Sequence, residues 1–154
     1  MNLSSIALAY IRDIRPQAQA ELEWFRQQPT LESAIEHAAL AINRKGKKYS
    51  HQWRLNKLSL EEARQILMMN SKAISQAKDF DDLFALVEGL CERISGIGEL
   101  YIYDTSLRMG GKLNKMPTKI YLHRGTRGGA QALGLDSKAK ALELSKIPLE
   151  LRKF

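Results

Sequence analysis

Five residues, Ile94-Ser95-Gly96-Ile97-Gly98, constrain the fold of this 154-residue chain more than any other stretch. Before them Phe80, Leu83, Phe84, Val87, Leu90, Cys91 and Ile94 recur at steps of three and four, the apolar stripe of an amphipathic helix. After them Leu100, Tyr103 and Leu107 continue the period. The spacing predicts two helices, 80–94 and 99–109, joined by a tight turn at Ser95–Gly98. Gly96 and Gly98 permit positive φ and close backbone approach. The second helix then begins with unpaired amides and the positive end of its dipole, an arrangement suited to an anion, although the same five residues also fit an ordinary helix–helix corner.

The length is that of one domain and is enough to bury a core without cross-links. A single cysteine, Cys91, excludes an internal disulfide and a cysteine-based metal site. It also fits a reducing, intracellular setting, so cytoplasmic localisation is expected, with no metal and no cofactor. Leu3 to Ile14 is broken by Ser4, Ser5, Tyr10, Arg12 and Asp13, and no apolar run is long enough for a membrane span. Neither a leader nor a membrane partner is expected. The net charge of +7 is unevenly placed. Up to residue 110 acids and bases cancel. The excess lies after it, in Lys112, Lys115, Lys119, Arg124, Arg127, Lys138, Lys140, Lys146, Arg152 and Lys153, set against Asp136, Glu143 and Glu150. A second cluster, Arg44, Lys45, Lys47, Lys48, Arg54 and Lys57, contains no acid and interleaves with Tyr49, His51 and Trp53. Clustered basic charge points to a polyanionic partner, with nucleic acid the usual one. The alternative for the second cluster is aromatic rings folded onto the core and solvated lysines.

Taken in order, residues 3–14 read as a helix that stops before Pro16, and Pro16 suits the first turn of the next. Pro29 ends that helix, and Thr30 caps a third with Leu31, Ile35, Ala38 and Ile42 on one face. Ser59-Leu60-Glu61-Glu62 has the form of a capping box and predicts a helix start there. A break at Asn70-Ser71 precedes a short helix through Ala77, and Asp79 with Asp82 caps the helix that enters the turn. Asp104 and Arg108 stand four apart in the order that favours a helical ion pair. Met109-Gly110-Gly111 reads as a glycine stop. Ile120-Tyr121-Leu122 is too short to classify by period. Thr126 is expected to cap a helix through Leu133, with His123, Arg124 and Arg127 at its N-terminal end, where cations oppose the dipole. Gly128 and Gly129 weaken that helix unless close packing or an approaching ligand needs them. Nothing asks for a long strand, so the expectation is a compact single all-α domain over 1–154.

The turn Ile94-Ser-Gly-Ile-Gly98, the helix and proline-containing loop after it, and the helix ending Leu133-Gly134-Leu135 resemble the helix-hairpin-helix DNA glycosylase superfamily. The likeness covers residues 80–135, with the helix-hairpin-helix itself at 80–110. It implies a fold that grips the nucleic-acid backbone at the hairpin, and a place in DNA repair or defence. The family's catalytic lysine falls on Leu100, so a Schiff-base lyase step has no nucleophile. The family's aspartate falls on His123 when counted back from Leu133, or on Lys119 when aligned on Pro117, and neither is a carboxylate.

These readings give one expected function and two rivals. The first is a nucleic-acid binding protein, with DNA as the partner. Gly96, Ile97 and Gly98 would offer amides to a phosphate, and Lys112, Lys115, Lys119, Arg124 and Arg127 the surrounding field. Alanine at Arg124 and Arg127 should then lower the salt dependence of binding and leave stability nearly unchanged. Tyr101, Tyr103 and Tyr121 are candidate stacking groups, with core packing favoured for Tyr103. A rival is an active glycosylase or base-processing enzyme using His123 and Asp104. The other is a protein-interaction module on a glycosylase-like scaffold, with a protein partner.

Overall fold

A computed structural model describes residues 2–152. The chain is all-α, with a single two-residue ladder as its sheet among the described residues. The helices are α1 Leu3–Asp13, α2 Arg15–Arg26, α3 Leu31–Ala39, α4 Lys57–Met69, α5 Ser71–Ser75, α6 Phe80–Cys91, α7 Glu99–Leu113, α8 Arg124–Ala132 and α9 Leu149–Arg152. Strand β1, Ile120–Tyr121, pairs antiparallel with β2, Ala141–Leu142. No helix among the described residues is long and apolar enough to cross a membrane.

Local signals set most boundaries. Asn2 caps α1 through a bond from Ser5 N–H, and Pro16 sits in the first turn of α2. Thr30 Oγ1 accepts from Ser33 N–H at 3.1 Å and Asp79 Oδ1 from Asp82 N–H at 2.9 Å, which satisfies one orphan amide at the start of α3 and of α6. Helix α3 ends at Ala39, short of Ile42, because Ala41 turns into the left-handed region at φ 55°. Two expectations need correction. The Ser59–Glu62 box does not start α4. The helix starts at Lys57 on an Asn56 cap, whose Oδ1 accepts from Leu58 N–H at 2.8 Å, and Ser59 lies inside the first turn. Gly110 and Gly111 do not stop α7, which runs to Leu113 and ends on Asn114 at φ 55°. They serve close approach instead. A Cβ on Gly110 would lie 2.4 Å from the Lys115 carbonyl oxygen, and one on Gly111 3.3 Å from that of Leu22.

By its contacts the chain falls into two compact units, Met1–Ala20 with Thr118–Phe154, and Glu21–Pro117. The second holds the larger core, in which Phe25, Ile35, Leu67, Ile74, Leu83, Val87 and Met109 are fully buried. Helix α7 packs on α3 and α6, and α4 on α3 and α6. Those fits put the residues flanking the Ser95–Gly98 turn at the ends of well-packed helices. The first unit has a small core of Leu122, Ala130 and Leu142. Helix α1 packs on α9 and buries none of its residues fully. A largely apolar cavity of about 490 Å³ lies among α1, α8 and α9, lined by Leu3, Ile6, Tyr10, Gly129 and Leu133 among others.

Candidate nucleic-acid interface

Helix α6 ends at Cys91, three residues before the expected limit. Its chain then winds through two tight turns, with Ile94 N–H donating to Cys91 O at 3.0 Å and Ile97 N–H to Ile94 O at 3.1 Å. Ile94 is buried and anchors the corner. Gly96 takes φ +80°, where a side chain would strain the backbone. Gly98 is the extended N-cap of α7 and brings no side-chain cap. Gly96 and Gly98 are exposed, and their N–H groups have no acceptor among the described residues. The Ile97 N–H is engaged inside the turn, so two of the three expected amides remain for an outside acceptor. Glu99 places one acidic group in the first turn of α7.

The misplaced capping box explains what stands beside this turn. Ser59, nearly buried, points its hydroxyl away from its own helix start and donates to the Ser95 carbonyl at 2.6 Å. The N-terminal end of α4 is thereby fastened to the turn, and with it the segment 50–58. That segment carries Trp53, Arg54, Lys57 and Leu58, all exposed. Tyr49 and Trp53 part company here. Tyr49 is half-buried and donates to Glu21 Oε2 at 2.9 Å, whereas Trp53 stands in solvent with the Arg54 guanidinium 5.2 Å from its ring centroid.

A polar network fixes the same segment from behind. Arg108, only 6 % exposed, lies with its guanidinium carbon 3.9 Å from the Tyr49 ring centroid. It donates to Gln52 Oε1 at 2.9 Å and pairs with Asp104 at 3.5 Å, the expected four-residue ion pair. Asp104 Oδ2 in turn lies 2.7 Å from His51 Nε2, and the His51 ring is about half-exposed. Burial pushes the Tyr49 phenol well above its ordinary pKa, against the opposing pull of Arg108. An imidazole with one nitrogen held by a carboxylate has its other nitrogen set for hydrogen bonding or proton transfer. Gln52 Nε2 is buried with no acceptor among the described residues, so that amide is held through its oxygen.

The cations expected to surround the hairpin are largely engaged elsewhere. Lys112 Nζ donates to the Gln28 carbonyl and lies 3.4 Å from that of Arg26, and Lys115 Nζ donates to the Ala77 carbonyl. Arg127 donates to Ser137 O at 2.6 Å and Ala139 O at 3.0 Å, clipping the loop after α8. Lys119 faces Glu143 at 3.7 Å. Arg124 is exposed. Lys153 lies outside the described residues. His123, not Thr126, is the N-cap of α8. Its N–H donates to Thr126 Oγ1 at 2.8 Å, because a hydroxyl at the third helical position reaches back to the cap. His123 and Asp104 belong to different units, and the imidazole partner of Asp104 is His51. Tyr101 and Tyr121 are core residues, Tyr101 donating to Ala39 O at 2.8 Å, and Tyr103 meets Phe80 edge-on. Gly128 and Gly129 face open space, so close packing does not account for them.

Sequence reasoning passed over Ser59, His51 and Arg108 as partners in one assembly. The aromatic–basic interleaving at 49–57 was the available signal, but the link to the turn is long-range and no local spacing encodes it. Among the described residues no group of three or more His, Cys, Asp or Glu is placed to hold a metal ion. No protein-family model, curated protein or solved structure matches the chain.

Proposed function

We propose that this chain is a helix-hairpin-helix nucleic-acid binding protein, and that its contact face joins the Ser95–Gly98 turn to the start of α4. The observation that carries the reading is the 2.6 Å bond from Ser59 Oγ to Ser95 O. It sets an exposed basic segment against an exposed turn whose Gly96 and Gly98 amides have no acceptor among the described residues. Amides at the start of a 15-residue helix and cations beside them are the two ingredients of backbone phosphate binding. Arg54, Lys57 and Arg93 are exposed and replace Lys112, Lys115 and Arg127 as the phosphate-facing cations.

The test is the salt dependence of binding to labelled oligonucleotides, read by fluorescence anisotropy. Three contributing cations give a log–log slope of about −3 on duplex DNA, from roughly 0.9 counterions released per phosphate neutralised. Arg54→Ala with Lys57→Ala should reduce the slope by about 2 units and weaken binding to all sequences alike. Arg124→Ala should leave slope and stability unchanged. Arg127→Ala should lower stability by about 1.5–3 kcal/mol, since a charged donor to the part-buried carbonyls of Ser137 and Ala139 is lost, and should leave the slope intact. Absence of salt-dependent binding to any oligonucleotide would leave the interaction-module reading in its place.

A second reading has one observation in its favour. The His51–Asp104 pair, backed by Arg108, is an acid–base arrangement two helical turns along α7 from Gly98. It supports a hydrolytic role at a bound base or sugar. Release of base from a synthetic duplex, abolished in His51→Ala, is the expected sign. Because Leu100 holds the lysine position, borohydride on an abasic duplex should trap no covalent adduct.

A further inference from the structure

Trp53 is 65 % exposed, yet the backbone around it is not slack. Gln52, immediately before it, is buried and bound by Arg108 at 2.9 Å. The Leu55 carbonyl, two residues after it, accepts from Lys48 Nζ at 2.9 Å. His51 is held by Asp104 at 2.7 Å, and Gln52 N–H and Leu55 N–H close successive turns on Tyr49 O and Gln52 O. An indole offers one of the largest apolar gains of any side chain on burial. Here it is kept in water by a segment pinned on both sides of it.

The surroundings of the ring say what it meets there. Arg54 lies over the ring, 5.2 Å from its centroid, close enough for a cation–π contact that orients the indole and holds positive charge against one of its faces. At the other end of the same segment Lys57 precedes Leu58, which is 77 % exposed. Trp53 with Arg54, and then Lys57 with Leu58, place an aromatic ring, two cations and an apolar side chain in solvent within six residues. A strand with unpaired bases satisfies both kinds of group at once, because every base has a π-face and every link a phosphate. A matched duplex keeps its base faces in its own stack and leaves Trp53 and Leu58 without a partner.

We infer that the ligand of this face is an unpaired nucleic-acid strand, DNA or RNA, with a base stacked on Trp53 and the adjoining phosphates drawn to Arg54 and Lys57. This rests on the nucleic-acid reading above and narrows it from polyanion to single strand.

The experiment compares three labelled probes on the full chain at matched salt. They are a mixed-sequence DNA strand of about 12 nucleotides, its perfect duplex, and the RNA strand of the same sequence, a length within the span of one such site. The DNA or RNA strand should bind about tenfold or more tightly than the duplex. Trp53→Ala should weaken strand binding by about 5- to 100-fold, the range for loss of one stacked base, with duplex binding and the salt slope nearly unchanged. Trp53→Phe should recover most of the loss. A preference between the DNA and RNA strands would support the inference and identify the source of the ligand. Duplex binding at least as tight as either strand, or a Trp53→Ala variant that binds the strand as the parent does, overturns the single-strand inference while salt-dependent duplex binding keeps the broader reading. No salt-dependent binding of any probe overturns both.

Discussion

Single residues in this chain carry opposite meanings that their identity alone does not reveal, and the glycines show it best. Gly110 and Gly129 both interrupt a helical pattern. At Gly110 a Cβ would sit 2.4 Å from a backbone oxygen and 3.3 Å from the Phe80 ring, with no flexible end to move aside. At Gly129 it would meet nothing within 4 Å. Gly110→Ala should therefore destabilise by about 2–3 kcal/mol through overpacking, and Gly129→Ala should stabilise by about 0.5–1 kcal/mol by removing chain entropy from the unfolded state. Chemical denaturation of the two variants beside the parent checks both signs. The same divergence separates Arg124 from Arg127. Two arginines three apart at a helix start look alike in sequence, but one is solvated and the other holds the carbonyls of Ser137 and Ala139.

At the level of elements, the decisive side chain is Ser59. Ser59→Ala removes the bond to Ser95 O and should lower stability by about 1 kcal/mol. It should also weaken oligonucleotide binding with the salt slope unchanged, because the variant loses preorganisation of the face and no cation. Ser59→Thr keeps the hydroxyl and should bind as the parent does. An unaltered affinity in a folded Ser59→Ala variant would mean that the turn and the α4 start act separately. How much of this was legible follows from range. Pro16, Thr30 and Asp79 act on their own helix ends, and the sequence placed all three correctly. The paired helices around Ser95–Gly98 were legible because their stripes are long. Ser59 misled because its most common local role, capping, was overridden by an acceptor 36 residues away. Asn56 took the cap instead. Lys112 and Lys115 misled for a related reason: a count of positive charges does not show which carbonyls their ammonium groups reach.

For the molecule as a whole, the buried thiol gives a direct readout of opening. Cys91 is fully buried, and burial pushes its pKa up to about 12. The folded state keeps a proton that the unfolded state releases near 9, so this contribution is complete below about pH 9 and is lost as the pH rises toward about 12, by up to about 1.4 kcal/mol per pH unit. Tyr49 and Tyr101 shift in the same direction, chiefly through burial. Denaturant midpoints should fall through that window, the fall should be smaller in Cys91→Ala, and a thiol reagent at neutral pH should label the native protein only at the rate at which the second unit opens. Rapid labelling without denaturant would contradict the burial. The close approach of Gly111 to Leu22 has a consequence for the order of events during synthesis. The first unit is made from two segments that flank the second, so it cannot be completed until the segment after residue 117 has been made, whereas residues 21–117 emerge together. Bringing two segments together across roughly 100 unstructured residues costs about 4 kcal/mol of chain entropy beyond a constant term. In residues 21–117 the contact of Gly111 with Leu22, and the Lys112 bonds to Arg26 and Gln28, set the entering and leaving chain side by side. Once that insertion has folded, the remaining ends meet as near neighbours and much of the closure entropy has already been lost. A glycine that reads as a helix stop thus acts as the clasp that makes a discontinuous unit assemble as though it were local.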